Sequence, residues 1–168
     1  MVLKEYFLEQ LDREAASTRK TIERVPDGHN NFKPHERSME FGYLAALVAG
    51  MLGWIASIVD LDSLDLEAPE SASFRTKPLA GRAELLANLD RAVADARRAL
   101  QSTTDEHLAL PWAFKMRGTP VSQNPRSIMI ADAVFGHLAH HRGQLTVYLR
   151  LLEAKIPAIY GPSADERF

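Results

Sequence analysis

The chain of 168 residues contains no cysteine, which excludes disulfide bonds, thiolate nucleophiles and cysteine metal sites. Residues 1–25 are charged and lack the apolar core of a signal peptide, so we expect a cytoplasmic protein. The chain also lacks the cluster of lysines and arginines that binds nucleic acid, because its net charge is −2 and the two signs are interspersed. The length fits one domain, residues 1–168, which can bury roughly 70% of its unfolded surface.

Several familiar enzyme patterns are missing as well. The sequence has no Gly-x-Ser-x-Gly, no Walker phosphate-binding loop, no Gly-x-Gly-x-x-Gly and no His-Glu-x-x-His. It therefore names no reaction, and whether the protein is an enzyme is left open.

What the sequence does contain is four long stretches with the spacing of helices. Apolar residues three or four apart predict a first helix over about 3–25 and a third over about 81–102. A second helix is predicted over 41–59, with Ser38 as its N-cap. The fourth begins at 125 or 126 and runs to 154, before the stop at Ile156-Pro157.

The second of these stretches carries no charge and, at roughly 28 Å, approaches the length of a membrane span. Its glycines and alanines weaken its affinity for lipid, and the other helices need an apolar partner to cover their buried faces. We therefore expect the core helix of a bundle or a dimer interface, and no membrane insertion.

The connections are long. Residues 60–80 are predicted to be irregular, and the proline-containing stretch 108–125 predicts a short extended excursion or hairpin that turns near Arg117-Gly118. Within it, Trp112, Phe114 and Met116 either cap one end of the bundle or form the rim of a pocket. The predicted fold class is all-α: a four-helix bundle with long connections and a short extended excursion before the last helix.

The most informative residues are two histidines one helical turn apart. His137 and His141 share a helix face, and two imidazoles at this spacing suit zinc, nickel, copper or iron. The buried side of the same helix is predicted to carry Ile130, Val134, Leu138, Leu145, Leu149 and Leu152.

Three segments resemble the DinB-like (damage-inducible) superfamily: His-Leu-Ala-His-His-Arg-Gly-Gln at 137–144, Tyr-Gly-Pro-Ser at 160–163, and Phe-Lys-Pro-His-Glu-Arg-Ser-Met at 32–39 with the apolar helix after it. The resemblance implies a four-helix bundle, often a homodimer. It also implies a divalent metal held by three histidines, one on the second helix and the His-x-x-x-His pair on the fourth. Some members use low-molecular-weight thiols as transferases or isomerases.

This chain departs from that pattern, because no histidine lies on its second helix and the corresponding position is Leu47. Three interpretations of His137 and His141 stay open: a weak divalent-metal site for zinc, nickel or iron, a metal-free hydrogen-bonded pair, and a competent metalloenzyme. Without metal, desolvation and mutual repulsion are expected to lower the pKa of the pair.

Two neighbours of the pair complete the candidate site. Gln144 either holds the outer nitrogen of an imidazole or acts as a core amide. Arg142 is either an anion clamp or, as we favour, a structural arginine bonded to a nearby acid or carbonyl.

The primary expectation is therefore a DinB-like protein with a degenerate two-histidine metal site and no assigned activity. One alternative is a metal-dependent thiol S-transferase or hydrolase. The other is a non-catalytic dimeric module that binds a small ligand or a protein.

Overall fold

Four long helical segments and a small sheet make up the fold in a computed structural model that describes residues 2–167. The helices are α1 (Leu3–Ile22), α2 (Phe41–Gly50), α3 (Trp54–Asp60), α4 (Arg82–Ser102), α5 (Asp105–Leu108), α6 (Arg126–Met129) and α7 (His137–Leu151), and the strands are β1 (Ser63–Asp65), β2 (Pro111–Met116) and β3 (Thr119–Pro125). A 3₁₀ turn, Met51–Gly53, joins α2 to α3, and a π-helical stretch, Ile130–Gly136, joins α6 to α7. A further 3₁₀ segment spans Pro69–Phe74.

Two helix caps depend on contacts that the sequence does not reveal. Asp105, at the start of α5, accepts hydrogen bonds from the backbone N–H groups of Leu3 and Lys4 at 2.8 and 3.0 Å, so a distant carboxylate caps α1. Ser38 as the cap of α2 is wrong. The backbone N–H of Phe41 donates instead to the carbonyl of Phe32, at 2.9 Å.

The apolar helical segment Phe41–Asp60, in which Asp60 is the one charged residue, lies in the middle of the bundle. By length and composition it is able to cross a membrane, but 72% of its most apolar window is buried inside the protein. It packs against α1, α4 and α7. Its approach to α4 is close at Gly53, where an added Cβ would lie 3.4 Å from the Cα of Ala92. The burial fits the predicted core helix.

The sheet corrects the predicted fold class: the protein is mostly helical, but it is not all-α. β2 and β3 form an antiparallel hairpin where the extended excursion was predicted, and β1 pairs in parallel with β2 in the order β1-β2-β3. Arg117 and Gly118 have φ angles of 51° and 76°, as a two-residue hairpin turn requires. The carboxylate of Asp65 in β1 accepts the N–H groups of both turn residues, which ties β1 to the hairpin.

The C-terminal tail folds back on the helices. Asp165 pairs with Arg150 and accepts the backbone N–H of Ile156 at 2.8 Å, while Glu166 pairs with Arg24 of the turn after α1. These contacts bring Tyr160 to the surface of α1 and α7.

Candidate functional site

His137 and His141 come together at the start of α7, directly after the π-helical stretch. Helical stretches with this wider turn occur frequently at functional sites. The two ring centroids lie 4.5 Å apart with their planes inclined by 44°. His141 is buried, with 5% of its surface exposed, and His137 is half-buried against the indole of Trp54.

Gln144 orients the buried imidazole. Its Oε1 lies 2.8 Å from Nδ1 of His141. Because an amide oxygen only accepts hydrogen bonds, Nδ1 of the ring is the donor. This arrangement leaves Nε2 as the ring nitrogen that can meet a ligand. Burial lowers the pKa of His141, the nearby rings of His137 and His140 lower it further, and the Gln144 hydrogen bond partly opposes them. The burial of this ring therefore favours its neutral form.

Both imidazoles line a cavity of about 660 Å³, which we call the histidine cavity. Most of its wall is apolar. The cavity lies between the helices α2 and α3, the helices α6 and α7, the sheet and the segment 66–76. Its largest apolar side chains are Met39, Tyr43, Leu47, Trp54, Ile58, Leu64, Leu66, Phe74, Trp112, Phe114 and Met129. The polar and ionisable remainder is Ser57, Glu67, Arg75, Thr76 and Ser122 with the two histidines.

Leu47 lies in the wall of this cavity, with 6% of its surface exposed. An isobutyl group thus faces the same space as the imidazole pair. Within residues 2–167, no group of three or more histidine, aspartate or glutamate side chains is arranged to hold a metal ion. The donors that the structure describes do not fit a three-histidine metal site.

Arg142 points away from the histidine cavity although it follows His141 in the sequence. It is 1% exposed and donates to Oε2 of Glu14 at 2.7 Å, to Oγ1 of Thr18 at 3.0 Å and to the hydroxyl of Tyr160. That hydroxyl in turn donates to Glu14, which is also buried. Burial and the adjacent carboxylate raise the pKa of Tyr160. These contacts assign Arg142 to a structural network between α1, α7 and the tail.

The other histidines stand outside the site. His140 is exposed, with its ring 5.0 Å from that of His141. His107 in α5 bonds the carbonyl of Val59 through Nε2 at 2.9 Å, and His29 and His35 lie in the loop before α2.

Strand β2 and the segment 66–76, which follows β1, also line the cavity, and the sequence predicted only part of this lining. Trp112 and Phe114 of β2 line the cavity, whereas Met116 is not among its described lining residues. The 66–76 segment adds Leu66, Phe74, Arg75 and Thr76. Neither a motif nor a helical spacing marks that segment in the sequence, so its contribution was missed.

A family model described as the DinB family matches residues 1–167. The chain belongs to the DinB family. It is 24% identical over 169 residues to the "Uncharacterized protein YrdA" of Bacillus subtilis strain 168, with 96% of this chain and 90% of that protein covered.

Solved structures show the same DinB fold. A DinB-like protein from Bacillus cereus ATCC 10987 superposes with a TM-score of 0.71 at 23% identity, covering 93% of this chain and 97% of that one. The DinB-like protein YjoA from Bacillus subtilis gives a TM-score of 0.65 at 18% identity, covering 91% and 96%. At these identities the likeness shows the fold alone.

Proposed function

We propose that this DinB-family protein binds a small, largely apolar molecule in the histidine cavity, with His137 and His141 as its polar anchors. The observation that carries the proposal is the shared wall of Leu47 and the two imidazoles: where the resemblance implies a third metal ligand, this chain places hydrocarbon. A ligand pocket is commonly a few hundred to about 1,000 Å³ of mostly apolar wall with a few fixed polar groups. The histidine cavity, at about 660 Å³, has that character.

Two kinds of contact support such binding. Aromatic walls formed by Trp54, Trp112 and Phe114 remove apolar ligand surface from water, at about 25 cal/mol per Å². Nε2 of His141, with the ring proton on Nδ1, offers a hydrogen-bond acceptor within a mostly apolar wall. A hydroxyl or amine on the ligand meets that requirement.

A second candidate function is the weak binding of a divalent transition metal, zinc, nickel or iron, by the histidine pair. One observation favours it: Gln144 holds Nδ1 of His141 as hydrogen-bonded partners of metal-binding histidines do. Water or a small ligand would have to fill the remaining positions, since two imidazoles alone give low affinity. A thiol S-transferase or hydrolase activity would depend on this metal, so metal analysis of tag-free protein tests both.

The primary proposal is tested with N-phenyl-1-naphthylamine, an uncharged dye that fluoresces in apolar surroundings. We expect saturable binding to protein freed of metal with a chelator. Ala133 lines the cavity, and Ala133→Phe should weaken binding at least about tenfold by filling it. Ala94→Phe, on the exposed side of α4, is the matched control and should bind as the unaltered protein does.

Absence of saturable binding to the unaltered protein would overturn the proposal. Equal binding by the Ala133→Phe variant would place the dye elsewhere and would overturn it as well. The homodimer expected from the resemblance stays a prediction, which sedimentation equilibrium tests by giving two chains or one per particle.

A further inference from the structure

A second hollow of about 600 Å³ lies on the side of α3 and α4, and its wall is rich in charge. We call it the charged groove. Its ionisable residues are the cations Arg75, Lys77, Arg91 and Arg98 and the carboxylates Asp60 and Asp95. All six side chains belong to exposed residues, so the groove opens to solvent.

The charged groove adjoins the histidine cavity. Trp54, Ser57, Phe74, Arg75 and Thr76 line both spaces, so the two hollows lie on either side of one wall. That wall consists of the segment 74–76 and the first turn of α3. The groove and the histidine cavity are therefore adjacent along this boundary.

The cations of the groove are only partly neutralised. Asp60 pairs with Arg98 at 2.6 Å and raises the pKa of that guanidinium. Asp95 lies about one helical turn from Arg91 and from Arg98 on α4, where it lowers the local positive potential without an ion pair within 4 Å. Two carboxylates thus face four cations, which leaves an excess of positive charge in a protein whose net charge is −2.

Arg75, at the boundary, has only neutral partners. Its Nε donates to the carbonyl of Leu66 at 3.0 Å, and one terminal nitrogen donates to the carbonyl of Ala68 at 3.5 Å. Among the ion pairs found within residues 2–167, none involves Arg75, Lys77 or Arg91. These three charges are therefore available to an external anion.

We propose that the charged groove is an anion-binding subsite and that the natural ligand is an amphiphilic organic anion. Its apolar part occupies the histidine cavity, and its carboxylate, sulfonate or phosphate group lies against Arg75, Lys77 and Arg91. This inference rests on the proposed function of the histidine cavity. Guanidinium and ammonium groups beside an apolar wall favour this ligand class, because they attract the anion while the aromatic residues bury its hydrocarbon.

The test uses two dyes with one ring skeleton: 1-anilinonaphthalene-8-sulfonate, which carries an anion, and N-phenyl-1-naphthylamine, which does not. The double variant Lys77→Gln/Arg91→Gln should weaken binding of the sulfonate about tenfold and change binding of the neutral dye less than about twofold. Raising the salt concentration should weaken binding of the sulfonate alone. Both substituted side chains are exposed, and thermal melting checks that the fold is kept.

A control variant, Arg13→Gln/Lys20→Gln, removes the same two charges from the exposed face of α1 and should leave both affinities unchanged. Equal weakening by the control would reduce the effect to net charge and overturn the subsite. Suppose that the neutral dye binds, but that the sulfonate either does not bind or binds the Lys77→Gln/Arg91→Gln variant as tightly as the unaltered protein. The anion subsite is then wrong, while the proposed function stands. If the neutral dye itself fails to bind, the proposed function is wrong, and the inference that rests on it is overturned as well.

Discussion

The amide oxygen of Gln144 lies 2.8 Å from Nδ1 of His141, one turn back along α7, and fixes which nitrogen of that buried imidazole meets the cavity. The same bond supports the protonated form of a ring whose pKa burial lowers. Gln144 therefore orients this imidazole and partly offsets the effect of burial on its pKa.

Replacing Gln144 by leucine should lower the pKa of His141 further, because the hydrogen bond that opposes the effect of burial is lost. The ring proton signals of His141, followed by NMR as a function of pH, measure this. In the unaltered protein the titration is expected below the ordinary value of about 6.5. A pKa at or above that value, or an upward shift in Gln144→Leu, would contradict the geometry described.

Stability should depend on pH through the same ring. Since the pKa of His141 is lower in the folded than in the unfolded chain, unfolding takes up a proton over the acidic side of neutrality. The free energy of unfolding should therefore decrease as the pH falls below about 6.5 and level off, for this group, once the pH is below the folded pKa. Urea unfolding at pH 7.5 and at pH 5 checks this, and His141→Gln should show a smaller difference between the two.

Leu47→His should create the missing donor if Leu47 faces the imidazole pair as the shared cavity wall indicates. Zinc affinity, measured by calorimetry on tag-free protein, should rise at least about tenfold, which corresponds to about 1.4 kcal/mol. The gain should disappear in the double variant Leu47→His/His137→Ala. No gain in Leu47→His would mean that position 47 does not face the pair.

Replacing only one partner of the buried ion pair between Arg142 and Glu14 should lower the free energy of unfolding strongly. Arg142→Met leaves the Glu14 carboxylate buried without its guanidinium, and we expect the free energy of unfolding to drop by about 3–5 kcal/mol. Glu14→Leu/Arg142→Met should recover most of that loss, because no unpaired charge stays buried. Urea denaturation of the three proteins measures it, and a loss below about 1 kcal/mol in the single variant would contradict a buried pair.

The sequence predicted those features that depend on residues close together in the chain. Spacings of three and four residues located the helices, and the spacing of four placed His137 and His141 on one face. The hairpin near Arg117-Gly118 followed from its turn residues. β1 did not, because three residues carry no alternation long enough to read, and its position depends on the contact of Asp65 with a turn about fifty residues later.

In the candidate site, too, the sequence predicted contacts between nearby residues but not contacts between distant ones. Gln144 is three residues from His141 and was a candidate partner from that spacing alone. The histidine cavity joins helices, strands and the segment 66–76, so its volume and its contact with the charged groove arise only from packing between distant parts of the chain. Arg75 illustrates this, since nothing in its neighbours distinguishes it from other surface arginines.

The most direct test of the central claim is a titration of metal-free, tag-free protein with N-phenyl-1-naphthylamine, followed by NMR of the histidine rings. We predict saturable binding that shifts the ring signals of His137 and His141 and leaves those of exposed His35 unchanged. Binding that moves neither ring, or that occurs only after zinc, nickel or iron is added, would contradict the claim that this cavity holds an apolar molecule against a metal-free imidazole pair.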